Sequence, residues 1–246
     1  MVLGLDIGSC YTKGILYNGK IIKTAVTRTL FKPRQAIEKI KEELAGYKKI
    51  CSTGYGRELV TDAPKKITEI TAFAYGASYL DLNIKTIIDI GGQDSKIIKL
   101  RNNKVDRFVM NDRCAAGTGN FIEKIAQSLG LSLDEFAAHA LRSERHEPID
   151  SLCVVMAETE ILSLVSEGKP IEDIVAGVCD SLCRRLIGIA SQVGIETPIL
   201  FCGGGALNPG IVKAMQRLVG KVIVPDHPQF IGALGAAAAV SNIDNI

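Results

Sequence analysis

The sequence predicts an α/β protein made of a duplicated unit arranged as two related lobes. Three observations carry this. An apolar strand ending in Asp-Ile-Gly occurs twice, at Asp6–Gly8 and at Asp89–Gly91. Each copy opens a run of short strands separated by polar turns, the pattern of an antiparallel meander. Apolar residues at helical spacing follow each run. The copies align as Asp6-Ile-Gly-Ser-Cys-Tyr-Thr-Lys13 and Asp89-Ile-Gly-Gly-Gln-Asp-Ser-Lys96, at one offset of 83 residues, from 6 to 89 and from 13 to 96. A repeat of that length is a duplicated supersecondary unit and not a short-period solenoid.

Taken in order, Met1–Ile7 is the first strand, and Thr12–Tyr17 the second after a polar turn. Asn18–Gly19, a strong hairpin signal, leads to a third at Lys20–Arg28. Pro33 opens a helix with Ala36, Ile37, Ile40 and Leu44 on one face. Lys48–Ser52 reads as a strand, Thr53–Gly56 as a turn, and Ile70–Leu80 as a helix. The second unit begins with strands at Thr86–Ile90, Ser95–Leu100 and Lys104–Val109, the last two joined at Asn102–Asn103. A polar turn holding Cys114 precedes a helix start at Thr118–Asn120, with Phe121, Ile122, Ile125, Ala126 and Leu129 as its buried face. Arg142–Asp150 reads as an exposed stretch, Leu152–Met156 as a short apolar segment, and Ala157–Glu167 as a helix. Pro170 opens a long helix whose apolar stripe runs from Ile171 to Val193. A strand at Pro198–Cys202, a glycine loop at Gly203–Gly205, a helix from Pro209 to Leu218, a strand at Lys221–Val224 and an Ala-rich helix complete the chain. The expected division is 1–84 with 230–246 as lobe I, and 85–229 as lobe II.

With 246 residues, 47% apolar and 23% charged, the composition is that of a soluble globular protein with full cores. A formal charge of +2 gives no electrostatic case for nucleic acid or membrane. Trp is absent and aromatics are 5%, which disfavours base-stacking platforms. The opening MVLGLDIG reads as a strand rather than a leader, and Gly232–Val240 is too short to span a bilayer. Seven scattered cysteines suit reduced thiols, so a cytoplasmic location is expected.

A strand-end carboxylate followed by Gly, Ser or Thr and then Lys suits phosphate and magnesium. Glycine admits the phosphate oxygens, amides line the turn, and aspartate can hold Mg²⁺ through water. One DIG alone would be an ordinary strand end. Two in register, with a GGG loop after a later strand, point to nucleotide. No GxxxxGK[ST] occurs, and no GxGxxG opens a strand–helix turn. Cys114 sits where amides and a helix dipole favour an anion or a metal cluster, although a buried thiol would look similar.

These motifs, with Thr53–Arg57 (TGYGR), Thr68–Thr71 (TEIT), Met110–Phe121, Cys153–Ile161 (CVVMAETEI), Cys202–Gly210 (CGGGALNPG) and Ile231–Ala237 (IGALGAA), run through essentially the whole chain. Together they resemble the actin/hexokinase/Hsp70 superfamily of ATPases. Within it they resemble the activator (component A) of 2-hydroxyacyl-CoA dehydratases and the ATPase subunits of benzoyl-CoA reductase. The resemblance implies a duplicated actin-like, ribonuclease H-like fold with a nucleotide cleft between two lobes. It implies that Asp6 and Asp89 hold Mg²⁺ through water and that Lys13 approaches the phosphates of ATP or ADP. Gly8, Ser9, Cys10, Tyr11 and Thr12 would form one phosphate hairpin, and Gly91, Gly92 and Gln93 the other, with Gln93 orienting the attacking water. Gly203, Gly204, Gly205 and Asn208 would flank the adenosine. Cys10 and Tyr11 stand where relatives usually carry threonines, a departure that touches side chains and not backbone donors.

The same resemblance implies one [4Fe–4S] cluster per homodimer, held by Cys114 and Cys153 of each subunit. Cys51 and Cys202, in strands, read as core thiols, as do Cys179 and Cys183, though an i, i+4 pair could bind metal. Glu158 and Glu160 read as first-turn acids, and His139, His146 and His227 as isolated. The implied function is delivery of a low-potential electron, coupled to ATP, from a ferredoxin or flavodoxin to an iron–sulfur dehydratase or reductase in an anaerobe. The alternatives are a small-molecule kinase of the same superfamily, a donor to a double-cubane cluster protein, or a nucleotide-dependent assembly protein without iron.

Overall fold

The computed structural model describes residues 1–29, 31–80, 82–151 and 153–241. Two five-stranded sheets dominate it. The first runs β3-β2-β1-β4-β5, from β1 (Val2–Ile7), β2 (Tyr11–Tyr17), β3 (Ile21–Arg28), β4 (Lys49–Thr53) and β5 (Lys65–Lys66). The second runs β8-β7-β6-β9-β10, from β6 (Thr86–Ile90), β7 (Ser95–Arg101), β8 (Lys104–Asn111), β9 (Ile199–Cys202) and β10 (Val222–Ile223). The strand orders are the same once five is added to each number. The duplication that the sequence shows over one hairpin therefore extends to the whole of each sheet.

Local chemistry explains the strands. In the first meander Gly19 takes φ +78, and in the second Asn102 and Asn103 take φ 52 and 59. Asn tolerates that left-handed region better than other residues with a side chain. β1 pairs antiparallel with β2 and parallel with β4, the mixed arrangement of a meander followed by a crossover. The crossover is α1 (Pro33–Glu43), with Pro at its first position and Ala36, Ile37 and Ile40 buried. Its face packs with Leu3, Leu5 and Ile7 of β1 and with Ile50 of β4. Period-two alternation sends Asp6 to the opposite face.

Contacts group the chain into two compact units. One is Met1–Ile87, Ile98–Arg107 and Asp226–Ile246; the other is Ile88–Ile97 and Phe108–Pro225. In the first, α8 (Ile231–Ser241) packs on α2 (Glu69–Tyr79) and on β1. Residues 242–246 of the expected terminal helix lie outside the described residues. In the second, α6 (Ile171–Ile189) is the central helix, buried from Ile174 through Cys183, with α4 (Leu133–Arg142) and α7 (Pro209–Val219) against it.

The differences from the sequence expectation lie in the second unit. Helix α4 was not expected, although Ser132 and Glu135 form a full capping box ahead of Phe136, Ala137 and Ala140. Helix α5 runs Val154–Ser166, three residues earlier than expected, because Cys153 serves as its N-cap. Val155 and Met156 are thus exposed helical residues and not part of a separate apolar segment. Leu152 lies outside the described residues.

Asp180, on α6, is buried and bonded to Arg184 at 2.7 Å and to the Arg217 Nε of α7 at 3.2 Å. Burial pushes its carboxyl up, but the two guanidinium groups outweigh this and hold it below the usual carboxylate value. A depressed folded value means the contribution is present above the unfolded pKa and fades as pH falls through the folded one. Asp180→Asn is therefore expected to cost about 3 kcal/mol at pH 7. The gap should narrow below about pH 4, measured by urea unfolding across pH.

Candidate functional site

The two Asp-Ile-Gly turns have the same internal geometry. The Gly8 amide donates to the Tyr11 carbonyl at 3.1 Å, and the Gly91 amide to the Asp94 carbonyl at 2.9 Å. A Cβ on Gly8 would meet that carbonyl oxygen at 2.9 Å, and one on Gly91 would meet its own at 2.8 Å, so both turns require glycine. In each, the motif lysine returns to the strand-end aspartate: Lys13 Nζ to Asp6 at 3.1 Å, and Lys96 Nζ to Asp89 at 3.4 Å.

A second matched feature lies beside each aspartate. β4 ends in Thr53-Gly54-Tyr55-Gly56, and β9 in Cys202-Gly203-Gly204-Gly205. Gly54 and Gly203 take φ +91 and +84. A Cβ on Gly54 would lie 2.7 Å from Asp6 Oδ1, and one on Gly203 2.4 Å from Asp89 Oδ1. Gly56 and Gly205 press equally closely on Ile7 and Ile90. TGYGR and CGGG are thus the same closure over a strand-end carboxylate, at an offset of 149 residues, from 54 to 203 and from 56 to 205.

The named residues divide by exposure. Ser9 and Gln93 stand exposed at the turn tips, with Gly8, Cys10, Tyr11, Gly91 and Gly92 half-buried. Thr12 is buried and bonded to Thr29 at 2.9 Å, and Thr29 donates to the Gly8 carbonyl at 2.7 Å. Its hydroxyl thus shapes the turn from within. Asn208 uses its side-chain oxygen to cap α7, accepting from the amides of Gly210 and Ile211. Gly204 is exposed between buried Gly203 and Gly205. Lys96 is a further site residue: it is 1% exposed and also bonds Asp94 at 2.8 Å. Its identity with Lys13 in the repeat was the available signal.

The cysteines fall into clear groups. Cys114 and Cys153 are exposed, Cys10 is half-buried, and the other four are buried. Burial pushes the Cys51 thiol up to about 11 and the Cys179 thiol to about 12, and raises Cys183 in the same direction. Those thiols are poor ligands and poor nucleophiles. Cys114 caps the short 3-10 turn Ala115–Gly117, and Cys153 caps α5. Neither side chain is used as a cap, so both thiols are free for a ligand. Among the described residues no three His, Cys, Asp or Glu side chains group to hold a metal ion.

The segments around the two cysteines are held by Asn111, which the sequence reading passed over, and by Glu160, read there as a first-turn acid but placed beyond the first turn by the earlier start of α5. Asn111 brackets Cys114, accepting from its amide at 3.2 Å and donating to its carbonyl at 2.8 Å. Glu160 accepts from the amides of Asp150 and Ser151 at 3.0 and 2.9 Å, and Arg185 donates to the Ser151 carbonyl. Burial pushes the Glu160 carboxyl up, but the Ser151 hydroxyl and those amides prevail and lower it. Glu160 is thus a tether for the approach to Cys153, while Glu158 takes a bond from Ser128 of α3 (Gly119–Ser128) at 2.7 Å.

One junction joins the second turn to the cysteine segment. The amides of Gly119 and Asn120, the first two of α3, donate to the carbonyls of Gly91 and Gly92 at 2.8 and 2.9 Å. Ser95 Oγ donates to the Gly117 carbonyl at 2.7 Å. No side chain caps α3; the glycine turn caps it instead.

Two carboxylate turns with glycine closures, on sheets of repeated order, are those of the actin/hexokinase-like fold. The family model for the BadF/BadG/BcrA/BcrD ATPase family matches residues 3–239, and the chain belongs to that family. It is similar to the 2-hydroxyisocaproyl-CoA dehydratase activator of Clostridioides difficile, 41% identical over 96% of this chain and 92% of that one. It is also similar to the (R)-2-hydroxyglutaryl-CoA dehydratase activating ATPase of Acidaminococcus fermentans, 38% identical over 96% and 95%. Among solved structures, the activator of the Clostridium difficile 2-hydroxyisocaproyl-CoA dehydratase with bound ADPNP superposes with a TM-score of 0.91. It is 38% identical and covers 100% of this chain and 97% of that one.

Glu160→Ala should free the Asp150 and Ser151 amides. Their hydrogen exchange is expected to quicken about tenfold, the worth of a charge-assisted bond. Exchange in α6 should stay unchanged, read by mass spectrometry of the folded protein.

Proposed function

We propose that this protein is an ATP-driven reductive activator, a homodimer in which Cys114 and Cys153 of each subunit hold one [4Fe–4S] cluster. The observation that carries the reading is the junction just described. The turn that would meet phosphate is bonded through its own carbonyls to the helix that starts five residues after Cys114. A change at Gly91–Gly92 is thus passed to the Cys114 segment by main-chain bonds.

ATP would meet the amides of both glycine turns, with Asp6 and Asp89 holding Mg²⁺ and Lys13 supplying positive charge. Gln93, exposed at its turn tip, would orient the attacking water. The Gly203–Gly205 closure would take the adenosine side. When bound, the cluster supplies one low-potential electron. Asn111 and Glu160 would fix the two thiol-bearing segments around it, and the starts of the 3-10 turn and of α5 would offer amides to its negative charge. The face of α5 beside Cys153 is exposed and apolar, with Val155 67% and Met156 62% accessible, which suits cover by a second copy.

The acceptor would be a 2-hydroxyacyl-CoA dehydratase or a related reductase, as the names of the relatives suggest, and it would take the electron at an iron–sulfur centre. The donor would be a ferredoxin or flavodoxin, in the cytoplasm of an anaerobe. No described helix is long and apolar enough to cross a membrane.

Anaerobic purification tests the cluster half. About four irons per dimer are expected, lost in Cys114→Ala or Cys153→Ala. An iron-free protein that phosphorylates a small molecule would favour the kinase alternative. Asp89→Ala should abolish Mg²⁺–ATP hydrolysis and leave the visible spectrum intact. Ser95→Ala removes one bond of the junction. It should weaken the response of the cluster spectrum to nucleotide about fivefold, while hydrolysis persists.

A further inference from the structure

The repeat extends beyond the glycine turns to the strands that flank them. At the same offset β3 falls on β8 end for end, from 21 to 104 and from 28 to 111, and Tyr11 falls on Asp94. The two turns can therefore be compared position by position. In the second, Asp94 bonds the buried Lys96 at 2.8 Å, and that lysine sits between two carboxylates. Asn111, the counterpart of Arg28, serves the Cys114 segment. The first turn carries a tyrosine in place of that carboxylate and an arginine in place of that asparagine.

β2 and β3 bring the tyrosine and the arginine together. Tyr11 and Arg28 are register partners, as are Lys13 and Val26, so all four side chains leave one face of the sheet. Lys13 stands opposite Asp6, so this is the face that carries the motif carboxylate. The Arg28 guanidinium lies 5.8 Å from the centre of the Tyr11 ring, within the range of a cation–π contact. Thr29, the next residue, donates its amide to the Cys10 carbonyl at 2.8 Å and its hydroxyl to the Gly8 carbonyl at 2.7 Å. The backbone beside Arg28 is thus fastened to the glycine turn itself. Arg28 is exposed, and among the described residues no carboxylate pairs with it.

The first turn therefore holds a cation that no internal charge has used. Ordering a long side chain costs entropy, and an aromatic ring beneath a planar guanidinium meets part of that cost before any ligand arrives. Formal charge also separates the turns. Asp6, Lys13 and Arg28 leave the first with an excess cation, whereas Asp89, Asp94 and Lys96 leave the second with an excess carboxylate. A ligand bearing several negative oxygens is drawn to the first. A guanidinium can offer two parallel donors to such oxygens, which a lysine cannot.

We propose that Arg28 binds the polyphosphate tail of the nucleotide at the first turn, and that Tyr11 is the positioning residue that holds its guanidinium there. This rests on the ATPase reading and adds to it a cation for which the second turn has no counterpart.

Isothermal titration with ADPNP and with adenosine tests the proposal. In Arg28→Gln, ADPNP is expected to bind about tenfold more weakly, as for loss of a charge-assisted bond. Adenosine should bind within about twofold of wild type, since it carries no phosphate. Added KCl should weaken ADPNP binding less in Arg28→Gln than in wild type. Arg28→Glu, which reverses the charge, should lose more than Arg28→Gln. Tyr11→Ala should cost about threefold for ADPNP, and Tyr11→Phe, which keeps the ring, should recover it. Wild-type ADPNP affinity in folded Arg28→Gln, with folding judged by far-UV circular dichroism, would overturn the proposal. An equal loss for adenosine would overturn it too, because the turn and not a phosphate contact would then have been disturbed. If Arg28→Gln fails to fold, Arg28→Glu decides by the same two ligands. A wild type that binds neither ligand would sink the ATPase reading itself, a different result from ADPNP binding that ignores Arg28.

Discussion

Everything near the two aspartates depends on the absence of a side chain one strand away. Gly54 and Gly203 pass so close to Asp6 and Asp89 that a single Cβ would overlap a carboxylate oxygen. Their positive φ then turns the chain back over the end of the neighbouring strand. This places the loop after β4 or β9 directly over a carboxylate that would otherwise face water. The aspartates are consequently buried yet near the tips of their turns, a location in which a charge retains its strength because little solvent screens it.

From that shared plan the two units diverge in chemistry. The first turn keeps a half-exposed Lys13 and a set of oxygens without donors. The second keeps a fully buried lysine shared by two aspartates, and it is bonded to a helix. The two copies of the duplicated element thus differ in their bonding: the first leaves buried acceptors without donors, and the second is tied to a helix. Duplication makes this possible, since each copy can lose what its twin retains.

Much of the fold could be read from the chain because its signals are local. Strand alternation, Asn-Gly and Asn-Asn turns, and Pro at helix starts depend on neighbours a few residues apart. The offset of 83 residues exposed the first repeat because no insertion interrupts Asp6–Lys13 or Asp89–Lys96. The kinship of TGYG and CGGG was hidden, because the helices after β8 lengthen the second unit and leave only two shared glycines. Helix α4 was missed although its Ser132–Glu135 capping box is a local signal. Glu160 looked like an ordinary first-turn acid, since its partners, the amides of Asp150 and Ser151, are set by tertiary folding. The unpartnered buried oxygens of Thr53 and Gln229 could not be seen at all, since being without a partner is a property of the packed interior.

The glycine cap on α3 has a consequence for observation. Helix starts are ordinarily secured by their own side chains and report only on themselves. Here the protons on Gly119 and Asn120 are secured by the carbonyls of the Gly91–Gly92 turn, so their protection is borrowed from that turn. The backbone therefore carries its own gauge. Two amide resonances on an otherwise unlabelled protein register the state of the Gly91–Gly92 turn, independently of any colour or spin at the cysteines.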